Sequence, residues 1–181
     1  MDYRSLSSRT RELMVSEIEL DQTTITGLYM SKRFTQTAAQ EWPELLLKAA
    51  RSGSDVTLAA ELVSRGSFIP KEPSRTKTGR PITKDVNSDA AILLAEGQFN
   101  MYYMRAVCLL ALEQGRETVE VYHGKRVTAG RPESQERIGD ELPAEEFLKD
   151  LRSTKGINSA YGMTKPNSGL TVWLPDVIVL G

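Results

Sequence analysis

The sequence predicts an α+β fold that is mainly helical and is built around one long, buried central helix. Residues 88–114 are apolar around most of a helical circumference, and such a helix is usually buried. Short amphipathic helices precede it. Alternating apolar residues near 118–128 and 170–174 indicate a small β-sheet or hairpin. We therefore expect one globular domain over 1–152, followed by an extended C-terminal arm over 153–181 that ends in an apolar strand.

The central helix is expected to have defined ends. Asn87 or Ser88 is expected to cap its start, because a short polar side chain accepts a hydrogen bond from the first turn. Gly115 is expected to end it in a left-handed conformation. Gly97 costs roughly 1 kcal/mol relative to alanine inside a helix, so we expect another element to pack closely there. The apolar positions form two faces: Ile92, Phe99, Tyr103, Ala106 and Leu110, and Gly97, Met101, Met104, Cys108 and Ala111.

Three polar residues interrupt this apolar surface. Glu96 and Asn100 are four residues apart and share a helical face, whereas Arg105 points roughly the other way. They form either a buried functional site or ordinary structural partners of neighbouring elements. Buried polar groups are mostly satisfied by structural hydrogen bonds, which favours the second interpretation.

The chain before residue 67 is predicted to contain short helices. Residues 5–20 have a moderately amphipathic pattern, and the threonine-rich stretch 22–30 favours a strand or an extended lead-in. Thr35 is expected to cap a helix that breaks near Trp42. Pro43, which is disfavoured inside a helix, is then expected to start a second one.

Residues 67–87 are predicted to form a basic, proline-containing arm. Three prolines and Gly79 disfavour regular structure there. Residues 71–84 contain five basic residues and one acidic residue, a local net charge of +4. The arm either contacts a phosphate backbone or an acidic neighbouring subunit, or it is a solvated loop. The candidate contact residues are Lys71, Arg75, Lys77, Arg80 and Lys84.

The chain after the central helix has three predicted parts. Alternation near Val119 and Val121 predicts a strand, with a hairpin that returns through Arg126 and Val127. Pro143 is then expected to open a helix. Residues 153–169 are polar and non-periodic, which is typical of a linker or arm.

The last segment is apolar, so its side chains must be buried against other residues. It either adds a strand to the sheet of its own chain or docks on another chain by strand addition. The candidate docking residues are Leu170, Val172, Trp173, Leu174, Val177, Ile178, Val179 and Leu180.

The composition limits the possible chemistry. The formal net charge is −1, and the chain has one histidine and one cysteine, His123 and Cys108. These do not assemble an ordinary zinc site, and no glycine-rich phosphate-binding motif is present, so we expect no metal and no cofactor. We also expect no secretion signal and no membrane span.

Among enzymes, a metal-dependent nuclease is the hypothesis that the carboxylates of this sequence could support. It requires carboxylates and usually a lysine around one metal, here Glu96 with Glu117 or Glu120 and Lys125. Glu117 and Glu120 are three apart, so on a strand they point to opposite faces. Such residues are more typical of a solvated face, and the sequence favours a protein that is not an enzyme.

Residues 88–175 resemble small proteins of unassigned role that are encoded in the head-assembly modules of tailed phages and prophages. The resemblance rests on the runs AEGQFNMYYMRAVCLLALEQG, VEVYHGK, RPESQERIG, LPAEEFLKDLR and PNSGLTVWLP. It implies a capsid-associated, decoration or head–tail joining protein that binds copies of itself, a capsid protein or a connector protein. It implies no catalytic residues. The expected location is the virion if the chain is phage-derived and the cytoplasm otherwise. The alternative is a small nucleic-acid-binding protein or nuclease of a mobile element.

Overall fold

The computed structural model describes residues 1–125, 132–164 and 168–175, and it confirms the α+β class. Helices dominate, and the strands form two small antiparallel sheets. The elements are α1 (Ser8–Thr23), α2 (Gln36–Ser52), α3 (Asp55–Ser64), β1 (Lys71–Arg75), β2 (Pro81–Asp85), α4 (Ala90–Glu113), β3 (Thr118–His123), α5 (Pro132–Gln135), β4 (Glu141–Pro143), α6 (Ala144–Thr154) and β5 (Leu170–Trp173).

Helix α4 is the predicted central helix, and it is buried over most of its length. It packs against α1, α3 and α6 and against strands β3 and β5. Together these partners bury most of α4, which is why apolar residues surround it. Ile92, on the first of the two predicted apolar faces, is 45% exposed near the start of the helix.

The two ends of α4 differ from each other. The predicted caps Asn87 and Ser88 are wrong, because Asp89 occupies the N-cap position and its side chain makes no capping bond. The predicted stop at Gly115 is confirmed, with a φ of +69°. The amide of the following Arg116 donates back to the last turn at 2.8 Å, which completes a Schellman-type end.

Gly97 does not mark a close approach of two elements, contrary to the prediction. A Cβ built on Gly97 has no neighbouring atom within 4 Å. We therefore expect Gly97→Ala to raise the free energy of unfolding by about 0.5–1 kcal/mol, because alanine is the better helix former. Urea unfolding curves measure this change.

Gly169 is the matched control for that substitution. Its φ is +65°, and a Cβ there would lie 2.6 Å from the Lys125 carbonyl oxygen. Gly169→Ala should therefore destabilise the protein. A loss of stability on Gly97→Ala would show that α4 is more closely covered than the structure indicates.

Helix α2 runs without interruption through Pro43, so the predicted break near Trp42 is wrong. Thr35 caps the helix as predicted, since its hydroxyl accepts the Ala38 amide at 3.2 Å. One apolar face stays buried on both sides of the proline, from Ala38 to Ala50. Burial of that face outweighs the roughly 3 kcal/mol that an internal proline costs.

Residues 22–30 were predicted to form a strand or an extended lead-in, and they do not form a strand. Helix α1 continues to Thr23, and a turn with Gly27 at a φ of +60° follows. The helix is longer than its apolar pattern suggests because Glu17 and Asp21 belong to its buried face.

Residues 67–87 contain regular structure after all, since β1 and β2 form an antiparallel hairpin. The Val86 amide donates to the Pro70 carbonyl at 3.0 Å, which fixes the alternation of bonded and non-bonded pairs. Pro73 and Pro81 then fall at non-bonded pairs, where a backbone N–H points away from the partner strand. Their missing donors therefore leave the pairing intact.

The described part of the C-terminal stretch packs on the body instead of extending as an arm. Gly156 lies against Met101, and the Tyr161 ring meets the Phe147 ring at 5.1 Å. Strand β5 then pairs with β3 of the same chain, which gives a sheet of order β4-β3-β5. The return through Arg126 and Val127 lies outside the described residues, as does the segment 176–181. Pro143 precedes α6 as predicted.

Candidate interaction surface

Arg105 is a fully buried structural residue. Its Nε donates to Glu17 at 2.6 Å, and its Nη1 and Nη2 donate to Asp21 at 2.7 and 3.1 Å. The Tyr102 hydroxyl donates to Asp21 at 2.8 Å, and Arg152 Nε donates to Glu17 at 3.0 Å. These bonds join α1, α4 and α6, and both carboxylates are at least 95% buried. The network is closed to a ligand, so its role is to fix the three helices.

This network makes the stability dependent on pH. Burial opposes ionisation of Glu17, but hydrogen bonds and charges from Arg152 and Arg105 outweigh it and lower the pKa below its ordinary value of 4.5. A lowered pKa in the folded state adds stability above the ordinary pKa, and this stability is lost as the pH falls through the lowered one. We expect Glu17→Gln to reduce the free energy of unfolding strongly at pH 7 and progressively less below pH 4.5. Urea unfolding at several pH values measures the difference, and an equal loss at pH 7 and in acid would contradict it.

Asn100 also has a structural role. Its Nδ2 donates to the Leu170 carbonyl at 2.9 Å, and its Oδ1 accepts the Thr171 hydroxyl at 2.6 Å. Both bonds are buried and attach β5 to α4. Each of its two polar atoms therefore makes a buried hydrogen bond to β5, which is a structural role.

The carboxylates of the nuclease hypothesis are not assembled into a metal site. Glu96 accepts a hydrogen bond from Lys125 Nζ at 2.5 Å. Within 1–125, 132–164 and 168–175, no group of three or more His, Cys, Asp or Glu residues is placed to hold a metal ion. Burial raises the pKa of the Cys108 thiol, which keeps it protonated and unreactive.

The five basic residues of the predicted arm lie on the β1–β2 hairpin, which we call the basic hairpin (residues 71–85). All side chains of β2 are exposed, and β1 alternates between exposed and half-buried positions. Arg33 anchors the hairpin to the body, since it donates to both oxygens of Glu72 at 2.6 and 3.0 Å. Lys84 lies 3.2 Å from the same carboxylate. Lys84 is therefore an internal partner, and the exposed cations that remain are Lys71, Arg75, Lys77 and Arg80.

The basic hairpin is not suited to strand addition. Pro73 and Pro81 occupy positions on its two outer edges where another strand would require an N–H donor. Prolines and charges at such edges prevent pairing with other chains. A partner therefore has to recognise its side chains, which are mainly cationic.

Some of the residues predicted to dock on another chain are buried in their own chain. Leu170 and Val172 are buried in the core of their own chain. Trp173 and Leu174 are half-buried, and the Arg4 guanidinium lies 4.9 Å from the Trp173 ring centroid. The remaining candidates, Val177, Ile178, Val179 and Leu180, lie outside the described residues.

A second surface was missed by the sequence reasoning. An apolar groove of about 500 Å³ lies between α3 and the first turns of α4, and we call it the α3–α4 groove. Its exposed apolar side chains are Val56, Val63 and Ile92, which are 67%, 63% and 45% exposed. The signal in the sequence is the seven-residue spacing of the two valines on α3, which places them on one face.

No helix in the described segments combines the length and the apolar character needed to cross a membrane. Comparisons with family models, curated proteins and solved structures found no match to this chain.

Proposed function

We propose that this protein is a non-enzymatic assembly protein of a phage-like particle, which binds copies of itself and a capsid or connector protein. The observation that carries the proposal is the basic hairpin, an exposed cationic projection held to the body by the Arg33–Glu72 ion pair. Its proline-containing edges favour recognition of its charges by an acidic protein surface. The resemblance of residues 88–175 to head-assembly proteins supports the same role.

Nucleic acid is the second candidate partner, because exposed lysine and arginine side chains also fit phosphates. The charge distribution favours protein. Asp85 lies directly opposite Lys71 in the hairpin, and Glu72 is next to Lys71 on β1. The acids reduce attraction to a uniformly negative backbone, whereas a protein surface is able to match mixed charges.

Particles purified from cells that carry the gene provide the direct test. We expect the chain to band with the particles in a density gradient and its hairpin lysines to cross-link to a shell or connector protein. Lys71→Glu with Arg75→Glu should abolish co-banding. The control Lys32→Glu with Lys149→Glu changes the charge equally at exposed sites elsewhere and should not. A chain that never bands with particles would overturn the proposal.

Binding to duplex DNA tests the second candidate. Fluorescence anisotropy at low and moderate salt should reveal weak or no affinity. Tight binding that falls steeply with salt and with the hairpin double substitution would favour a nucleic-acid-binding protein instead.

A further inference from the structure

We propose that a cavity beside the first half of α4 binds a small, uncharged, planar heterocycle that carries an N–H next to a C=O. The cavity has a volume of about 470 Å³, and it lies among the segment 29–33, one face of α4 and the segment 156–164. We call it the α4 cavity. The inference goes beyond the assembly role, because binding to a capsid or connector protein does not require a small ligand.

One face of α4 forms a side of the cavity. The five α4 residues that line it are three, four, seven and eight positions apart along the helix: Ala90, Leu93, Leu94, Gly97 and Gln98. Their side chains therefore share one stripe of the helix surface. The volume of the cavity is within the range of sites that bind small molecules.

Gly97 keeps the cavity open at the centre of this stripe. A Cβ built on Gly97 has no atom within 4 Å, so no neighbouring element fills the space in front of it. A larger residue at this position would extend into the cavity. Glycine weakens a helix interior relative to alanine, and one use that offsets this cost is the close approach of a ligand to the backbone.

Gln98 is suited to recognise the polar edge of the ligand. Its side chain is buried, with the residue only 8% exposed, and its Oε1 makes no hydrogen bond with any described residue. A buried acceptor without a donor is costly. The terminal torsion of glutamine is broad, so the amide can turn either of its polar atoms toward the cavity. A ligand with adjacent donor and acceptor atoms would pair with both.

The apolar lining favours a flat ring as the body of the ligand. Tyr29 and Phe68 both border the cavity and are half-buried. The Phe68 ring packs against the Phe34 ring at 5.5 Å, which restrains its position. Aromatic side chains pack well against other flat rings, and Leu93 and Leu94 add apolar surface.

The charges around the cavity favour a ligand without net charge. Arg33 is the one charged side chain among the described residues that line it. Both oxygens of Glu72 accept hydrogen bonds from Arg33, so its charge is already balanced. A charged ligand would lose its hydration without gaining an unpaired opposite charge.

Isoquinolone is a suitable probe, because it is an uncharged planar bicyclic lactam whose N–H lies next to its C=O. Titrations followed by amide NMR spectra of the nitrogen-labelled protein measure its affinity and locate its site. We expect saturable binding that shifts the signals of Gly97 and of the Gln98 side-chain amide. N-Methylisoquinolone, which lacks the donor, should bind about tenfold more weakly, because one hydrogen bond to Gln98 is lost. Naphthoate, which has a similar size but is anionic, should also bind more weakly than isoquinolone.

Two substitutions separate the roles of space and of hydrogen bonding. Gly97→Leu places a side chain in the cavity and should abolish binding, while urea unfolding should show no loss of stability because leucine is the better helix former. Gln98→Leu removes the amide and should abolish the preference for isoquinolone over its N-methyl derivative. Leu112→Gln, at an exposed position near the other end of α4, is the control and should change neither affinity.

Four results would overturn the inference. They are a failure of the unaltered protein to bind isoquinolone, binding that survives Gly97→Leu, equal affinities of the two lactams for the unaltered protein, and tighter binding of naphthoate than of isoquinolone. The last result would mean that Arg33 selects an anionic ligand despite its pairing with Glu72.

Discussion

Arg105→Met is expected to lower the free energy of unfolding by about 3–5 kcal/mol, as measured by equilibrium unfolding in urea at pH 7. Methionine replaces the aliphatic stem of Arg105 but not its charge. The substitution leaves Glu17 and Asp21 in the core without the guanidinium that binds both. Removing one partner of a buried ion pair is more damaging than removing the whole pair, because the remaining charge stays desolvated.

The two carboxylates are not equally affected. Glu17 keeps the hydrogen bonds from Arg152, whereas among the described residues Asp21 keeps the Tyr102 hydroxyl as its one side-chain donor. Most of the loss should therefore come from Asp21. Adding Asp21→Asn to the Arg105→Met variant should recover part of the lost stability, because an amide is less costly to bury than an unpaired carboxylate.

Arg9→Met is the matched control. Arg9 also binds two acids, Glu12 at 2.8 Å and Glu113 at 2.6 and 3.1 Å, but its side chain is 52% exposed. Solvent screening weakens such exposed pairs, so the expected loss is small. Similar small losses for both variants would mean that water reaches the Arg105 network in solution.

The sequence revealed Arg105 as a polar interruption in an apolar helix, but it did not reveal its partners. Glu17 and Asp21 lie more than 80 residues earlier in the chain. Their spacing offers a signal, because they continue the buried stripe of Leu13, Met14 and Ile18 on α1. Acids on a helix are usually solvated, so only the packing of α1 on α4 distinguishes this case.

Both errors over proline have the same physical origin. Pro43 lies inside α2 because the buried face of that helix continues past it. Pro73 and Pro81 lie in strands because their pairing register turns their nitrogens outward. Proline removes one donor and fixes one dihedral angle, and whether that matters depends on tertiary contacts that local sequence does not contain. The central helix was predictable, since its partners cover it on several sides and leave an apolar pattern along 24 residues.

Trp42→Ala is expected to lower the free energy of unfolding by about 3–5 kcal/mol in the same urea assay. Trp42 is fully buried, and its ring meets the Phe34 ring at 5.3 Å. Its indole N–H donates to the Tyr29 carbonyl at 3.0 Å, which ties the segment after α1 to α2. Alanine would leave both a cavity and an unpaired carbonyl. Trp42→Phe should lose less, because it keeps most of the ring volume and removes only the hydrogen bond.

The loss of stability on Trp42→Ala also tests whether α2 is continuous through Pro43. In a helix that broke at Trp42, the side chain would sit at a frayed end beside solvent, and Trp42→Ala would cost far less than a core substitution. In the continuous helix the same residue lies at the centre of the buried face. Trp173, the other tryptophan, is half-buried in β5 and supplies the comparison. A loss for Trp42→Ala no larger than that for Trp173→Ala would contradict the continuous helix.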